Sequence, residues 1–397
     1  MKTKPKKVHL LLALLSVICL YAQQINLPFK LSKDNRSIFI KLPVENQKDS
    51  LLFFFDTGAG TTLLDKKIAQ KLNLKAKYKT EIRGAGGKKL YDVLTNQKIF
   101  LDRSHYIDST NIVLDDLSRL NALFEQKFDG IIGASILKKY LTKIDFETHT
   151  ISLYKFDNFS DYTGYQKLPF EFYSGIPKLP ITFELKNKEK FSGDILFDSG
   201  AGLSLLVNSP YKEKNKLLNK IDEKITLISN NLSNKTNYEK GLIKSITLGN
   251  TRFENKNLDI SLASDKEGVS SAEDILGILG SEIIYRFNII LDYKNKNIYL
   301  KPNYLFHENF EELVSPISLK YSDDRKEIII SNVLQNTDAY KKGLREGQRI
   351  ISINNIQNKD IHFYSQVLKR KNKKILIKYI DNDNKVKSVK FKLKKLL

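Results

Sequence analysis

The chain has 397 residues, with 66 Lys and Arg against 45 Asp and Glu, a formal charge of +21 and one cysteine. That length accommodates two or three domains with a sizeable core, and one cysteine excludes a disulfide framework. The lysines run along the whole chain, as in "KNKEK" (186–190) and "YKNKN" (293–297), rather than gathering with aromatics, which favours a solvated lysine-rich surface and no nucleic-acid partner.

The opening stretch, "MKTKPKKVHLLLALLSVICLYAQQ", has four lysines and then an apolar run from Leu10 to about Ala22. This is the anatomy of a secretory signal peptide (1–22), and the run is short for a membrane span. Cleavage is expected after Ala22. The only cysteine, Cys19, would leave with it, so no disulfide or thiol chemistry is expected. Lipid attachment at Cys19 is disfavoured because Ile18 is not small. Removing the leader takes four lysines and no acids, leaving +17. The protein is expected to be exported, periplasmic or secreted, with no stable membrane span after cleavage. Its lysine- and asparagine-rich composition looks bacterial.

An internal repeat organises the chain from the leader to about residue 303. "NLPFKL" (26–31) returns as "KLPFEF" (167–172), and "FDTGAGTTLL" (55–64) returns as "FDSGAGLSLL" (197–206), identical at seven of ten positions. "FDGIIGASILKKYLTKIDFETHTISLY" (128–154) parallels "ILGILGSEIIYRFNIILDYKNKNIYL" (275–300), with Gly130, Gly133 and Asp145 matching Gly277, Gly280 and Asp292. Two copies of one unit are therefore expected, at 23–157 and 158–303, joined by a short linker around Asn158 to Tyr165. Alternation in "RSIFIKLPV" and "PKLPITFEL" reads as half-buried strands. Short helices are expected after each aspartate loop, with Asp65 as N-cap of the first and Pro210 opening the second. Others fit "ASILKKY" and "SEIIYRF".

From about Pro316 the pattern changes to strand, turn, short helix, turn and strand, then a helix at "IHFYSQVLKRK" and a hairpin turning at "DNDN". With Ala339, Gly343, Gly347 and the strand "IISINN", residues 317–397 resemble a PDZ domain of exported bacterial proteases. They depart from that family at Gln348, where an acidic residue is commonest. They also lack a glycine-rich carboxylate-binding loop before "IIIS". A peptide ligand is implied by the resemblance.

The two aspartate loops carry the chemistry. An apolar run ending in Asp-Thr/Ser-Gly-Ala, followed later by an apolar-apolar-Gly segment, resembles the aspartic protease family, in its retropepsin-like and pepsin-like branches. Two carboxylates, Asp56 and Asp198, held within hydrogen-bond distance cannot both ionise, so they share one proton. The ionised partner takes a proton from a bound water while the other donates to the scissile carbonyl. Gly58 and Gly200 allow a tight loop and close backbone approach. The resemblance implies that the hydroxyls of Thr57 and Ser199 bond across the lobe boundary, and that Gly133 and Gly280 let a strand pass behind each loop. "EIRGAGGKKLY" (81–91) places Gly84, Gly86 and Gly87 at the tip of a flap candidate. The second lobe's counterpart, "ISNNLSNKTNYEKG", has no such glycine cluster, so a single flap would belong to the first lobe.

Other mechanisms are poorly supplied. His9, His105, His149, His307 and His362 show no metal-binding spacing, and no Gly-x-Ser-x-Gly turn appears. No cofactor or metal is expected. The fold expected is mostly β: two aspartic-protease-like lobes followed by a small PDZ-like α+β domain. The expected activity is aspartic-type peptide hydrolysis by a monomer, since both loops lie on one chain. The alternative is a catalytically silent peptide-binding protein that uses the same cleft and the PDZ block.

Overall fold

A computed structural model describes residues 24–34, 36–45, 48–84, 87–230 and 235–397. The leader reading and Cys19 lie outside the described residues, as does Gly86 of the flap candidate. The fold is mostly β, in curled sheets.

The repeat seen in the sequence is a repeat of topology. In the first lobe, strand Ser50–Phe55 pairs antiparallel with Ile38–Pro43 and parallel with Gly130–Ile132. In the second, Lys190–Phe197 pairs antiparallel with Ile176–Glu184 and parallel with Gly277–Leu279. The last three residues of each central strand are buried on both faces, so the strand ends in a continuous apolar run, "FFF" and "ILF", before the aspartate.

The lobes join edge to edge. Six strands run Gln166–Pro169, Asn297–Pro302, Phe287–Asp292, Leu141–Asp145, Thr150–Tyr154 and Ile25–Leu31, the last three from lobe one and the first three from lobe two. Their order reads the same from either end under the repeat. At the centre, Lys143 pairs with Ile290. Those two residues are separated by the same 147 positions as Asp145 and Asp292, so a pseudo-twofold axis passes between them. One continuous hydrophobic core extends from Ile25 to Phe310 across both lobes.

The segment after the second lobe continues that core. Phe306 packs at a tilt against Phe253 and edge-on against Phe287 at centroid distances of 5.0 and 5.6 Å, and Phe310 lies under the Arg286 guanidinium at 3.9 Å. Arg286 also donates to the carbonyls of Leu305, Phe306 and Glu308.

The final block has its own core, from Val314 to Leu393. Five antiparallel strands (Ile317–Tyr321, Ile328–Val333, Arg349–Ile353, Lys374–Ile380, Val386–Lys392) carry helices Asp338–Lys341 and Ile361–Leu368. Gly343 and Gly347 sit at φ +98° and +88°, the left-handed region where glycine costs least. Gln348 is buried. Its side-chain carbonyl accepts from the Arg345 N–H at 2.9 Å and its amide donates to the Gly343 carbonyl at 3.0 Å. A carboxylate there would have no donor for the second bond.

Candidate active site

The two aspartate loops meet at the lobe boundary. Phe55 and Phe197 are wholly buried and anchor the strands that deliver them. Asp56 N–H donates to the Ile132 carbonyl at 2.9 Å, and Asp198 N–H to the Leu279 carbonyl at 3.1 Å. Behind them, Ala134 N–H bonds the Ala59 carbonyl at 3.0 Å and Ser281 N–H the Ala201 carbonyl at 2.8 Å. This crossing requires glycine. A Cβ on Gly133 would lie 1.8 Å from the Asp56 carbonyl oxygen, and one on Gly280 would lie 2.4 Å from that of Ala201.

Across the boundary the loops lock together. Thr57 Oγ1 donates to the Phe197 carbonyl at 2.8 Å and accepts from the Ser199 N–H at 2.9 Å. Ser199 Oγ in turn accepts from the Thr57 N–H at 3.0 Å. Both side chains are buried, so these bonds act where unmet polar groups are costly. Within each loop the carboxylate accepts from the N–H two residues on: Gly58 to Asp56 at 2.7 Å, and Gly200 to Asp198 at 2.9 Å.

The Asp56 and Asp198 carboxyl groups are in hydrogen-bonding contact. Each keeps some access to solvent, yet the surrounding protein strips away most of its hydration. Burial pushes Asp56 well above the ordinary carboxylate range, and the neighbouring Asp198 charge adds to the rise. Burial also raises Asp198, against hydrogen bonds from Asp56 and from the Gly200 and Ala201 N–H groups. Two carboxyls so placed hold one proton between them and titrate as a unit.

The flap candidate is a hairpin, Tyr78–Gly84 against Gly87–Phe100, with Gly84 paired to Gly87. Gly87 has φ +110°, and a Cβ there would lie 3.2 Å from Glu267 Oε2, so the hairpin tip reaches the second lobe. The second lobe carries a hairpin at the matching place, Lys224–Asn230 against Lys235–Leu242, without a glycine cluster. Seven paired positions build its ladder, so strand pairing rather than glycine content makes the element.

Several contacts around the site escape sequence reasoning. Tyr285 is buried, and its hydroxyl donates to the Ser199 carbonyl at 3.3 Å; desolvation raises its pKa. Thr62 and Ser135 share a hydrogen bond of 2.7 Å, and their repeat counterparts Ser204 and Glu282 do the same at 2.7 Å. Glu282 also pairs with Arg36 of the first lobe at 2.7 Å. Burial works against its charge, but Arg36 and Lys240 prevail and hold it below the ordinary range. Aligning the two repeats pairs Ser135 with Glu282, which would have flagged the asymmetry. Nothing in the sequence marks Arg36 as its partner. Among the described residues no group of His, Cys, Asp and Glu could hold a metal ion.

Residues 41–136 match a family model described as aspartyl protease, and residues 317–378 match the PDZ domain model. No curated protein matches the chain. The first match contains Asp56 and Gly133, and the internal repeat carries its pattern to Asp198 and Gly280. The chain thus carries an aspartyl protease domain and a C-terminal PDZ domain.

Proposed function

We propose that the protein is an exported aspartic endopeptidase that acts as a monomer, with Asp56 and Asp198 as its catalytic pair. One observation carries this reading: two carboxyls on matching loops touch each other at a lobe boundary, with both pKa values raised. A protein that only bound peptides would have no use for such a pair, because like charges so close destabilise the fold unless a proton is retained.

In the proposed reaction the singly protonated pair binds a water. Its ionised oxygen removes a proton as the water attacks the scissile carbonyl, and its protonated oxygen donates to the carbonyl oxygen. The tetrahedral intermediate collapses when the nitrogen leaves with a proton from the pair. No bond to the protein forms. Thr57 and Ser199 keep the loops in register, and the Gly84–Gly87 hairpin covers the bound peptide. The PDZ domain would hold a substrate or partner segment. Export rests on the leader's charge and apolar pattern.

The test is cleavage of a peptide library by the purified protein. Asp56→Asn and Asp198→Asn should each lower turnover by about 10²–10⁴-fold while the fold is retained. Mixing the two variants should restore nothing, because each active unit needs both loops of one chain. Retained turnover in either variant would refute the pair, and recovery on mixing would refute the monomer.

A further inference from the structure

We propose that the outer face of the PDZ sheet is a docking surface for an anionic phospholipid bilayer. Although lysines occur throughout the chain, residues 369–395 hold twelve Lys and Arg against two Asp, a surplus of +10 out of +21. Six of these twelve cations lie on the last hairpin, Lys374–Ile380 against Val386–Lys392, or in its turn at Lys385. Its inner face, with Ile375, Ile377, Tyr379, Val389 and Phe391, fills the domain core. Its outer face pairs Lys374 with Lys392, Leu376 with Lys390, Lys378 with Ser388 and Ile380 with Val386.

The Lys374–Lys392 pair sets two like charges directly opposite each other, an arrangement that weakens a sheet in isolation. Lysines nearer the rim are neutralised: Lys369 by Glu311, Lys371 by Glu312 and Lys387 by Asp381. No ion pair among the described residues reaches Lys374, Lys378, Lys390 or Lys392, and all four are exposed. Protecting an open sheet edge would explain lysines on Val386–Lys392, the edge strand. It does not explain Lys374 and Lys378, which lie on the strand inside it.

The chemistry of the face favours lipid over nucleic acid. All four cations of the face, Lys374, Lys378, Lys390 and Lys392, are lysines, which act as point charges toward a diffuse anionic surface rather than as bidentate phosphate clamps. The hairpin's aromatics, Tyr379 and Phe391, are buried and so cannot stack on bases. At the turn end Val386 is 60% exposed between Lys385 and Lys387, an apolar tip framed by charge that suits the headgroup boundary. The contact is peripheral: no helix among the described residues is long and apolar enough to cross a membrane.

Flotation of the full chain with phosphatidylcholine vesicles, with and without phosphatidylglycerol, tests the proposal. Binding should require phosphatidylglycerol and weaken as salt rises. The variant Lys374→Glu/Lys392→Glu should lower binding by about tenfold or more. Lys374→Gln/Lys378→Gln/Lys390→Gln/Lys392→Gln should weaken it without introducing repulsion. Lys186→Glu/Lys188→Glu, a matched change in an exposed second-lobe turn, should leave binding intact, and none of the variants should alter cleavage of a short soluble peptide. The proposal is overturned by absence of binding to phosphatidylglycerol vesicles, by equal loss in the Lys186/Lys188 variant, or by binding of duplex DNA in preference to the vesicles.

Discussion

Gly58 of the first loop lies against Asp198 of the second so closely that a Cβ on it would sit 2.4 Å from the Asp198 carboxyl carbon. The relation is reciprocal: a Cβ on Gly200 would sit 2.4 Å from the carboxyl carbon of Asp56. Each glycine is therefore the wall that the opposite carboxylate rests on. Gly58→Ala and Gly200→Ala should each separate the carboxyls and cut kcat by about 10²-fold or more, since small misplacements of reacting groups have that effect. The contacts of Gly60 are looser, the nearest being the Ser174 carbonyl oxygen at 3.3 Å, so Gly60→Ala should retain most activity. Steady-state kinetics on the three variants would check this, and equal activity in all three would refute it.

The raised pKa values of the pair make stability depend on pH and should do the same for the proposed activity. Both folded-state values lie above those of the unfolded chain, chiefly through burial. The retained proton therefore contributes stability that is full below the unfolded carboxylate value and is lost as pH rises through the folded values. Thermal stability should fall across that upper range, and Asp56→Asn should flatten the fall by removing one of the two charges. The alkaline limb of the pH–rate profile should lie above the ordinary aspartate value of about 3.9. A limb at the ordinary value, or a pH-independent melting temperature in this window, would contradict the geometry.

Arg325 ties the PDZ domain to the first lobe. Its guanidinium donates to the carbonyls of Asn121, Phe124 and Glu125 and stacks on Tyr321 at 4.0 Å. Beside it the Tyr321 N–H donates to the Ala122 carbonyl at 2.8 Å, and Lys33 pairs with Asp360 at 2.7 Å. Arg325→Ala removes the donors of three carbonyls and should weaken this docking by roughly 1–3 kcal/mol. Limited proteolysis should then cut more readily between the protease lobes and the PDZ domain. Unchanged susceptibility would mean that the remaining contacts suffice.

Truncation should distinguish the segment that belongs to the second lobe from the PDZ domain beyond it. A chain ending at Pro302 loses Phe310 from the core and the half-buried Phe306 packed against it, and removing a fully buried large aromatic costs about 3–5 kcal/mol. A chain ending at Glu312 keeps both. The longer truncation should fold and cleave a short peptide, while the shorter should unfold at a markedly lower temperature. Equal melting temperatures would show that residues 303–312 add nothing to the lobe.

The sequence by itself determined the elements whose causes are local or repeated. The apolar runs ending at Asp56 and Asp198 predict buried strands entering tight loops, and the twofold occurrence of that pattern predicts two lobes. Asp65 as N-cap, accepting from the Lys67 N–H at 2.8 Å, follows from neighbouring residues alone. The PDZ glycines follow in the same way, because the left-handed turns at Gly343 and Gly347 are a property of a few residues. Only the tertiary structure decided which distant groups meet. The Arg36–Glu282 pair, the reach of Gly87 to Glu267, the second-lobe hairpin without a glycine cluster and the packing of Phe306 all depend on pairings that no local pattern marks. The basic face is the clearest case. The surplus of positive charge in residues 369–395 is legible in the sequence, but strand alternation decides which of those lysines share one side of the sheet, and register then sets Lys374 against Lys392.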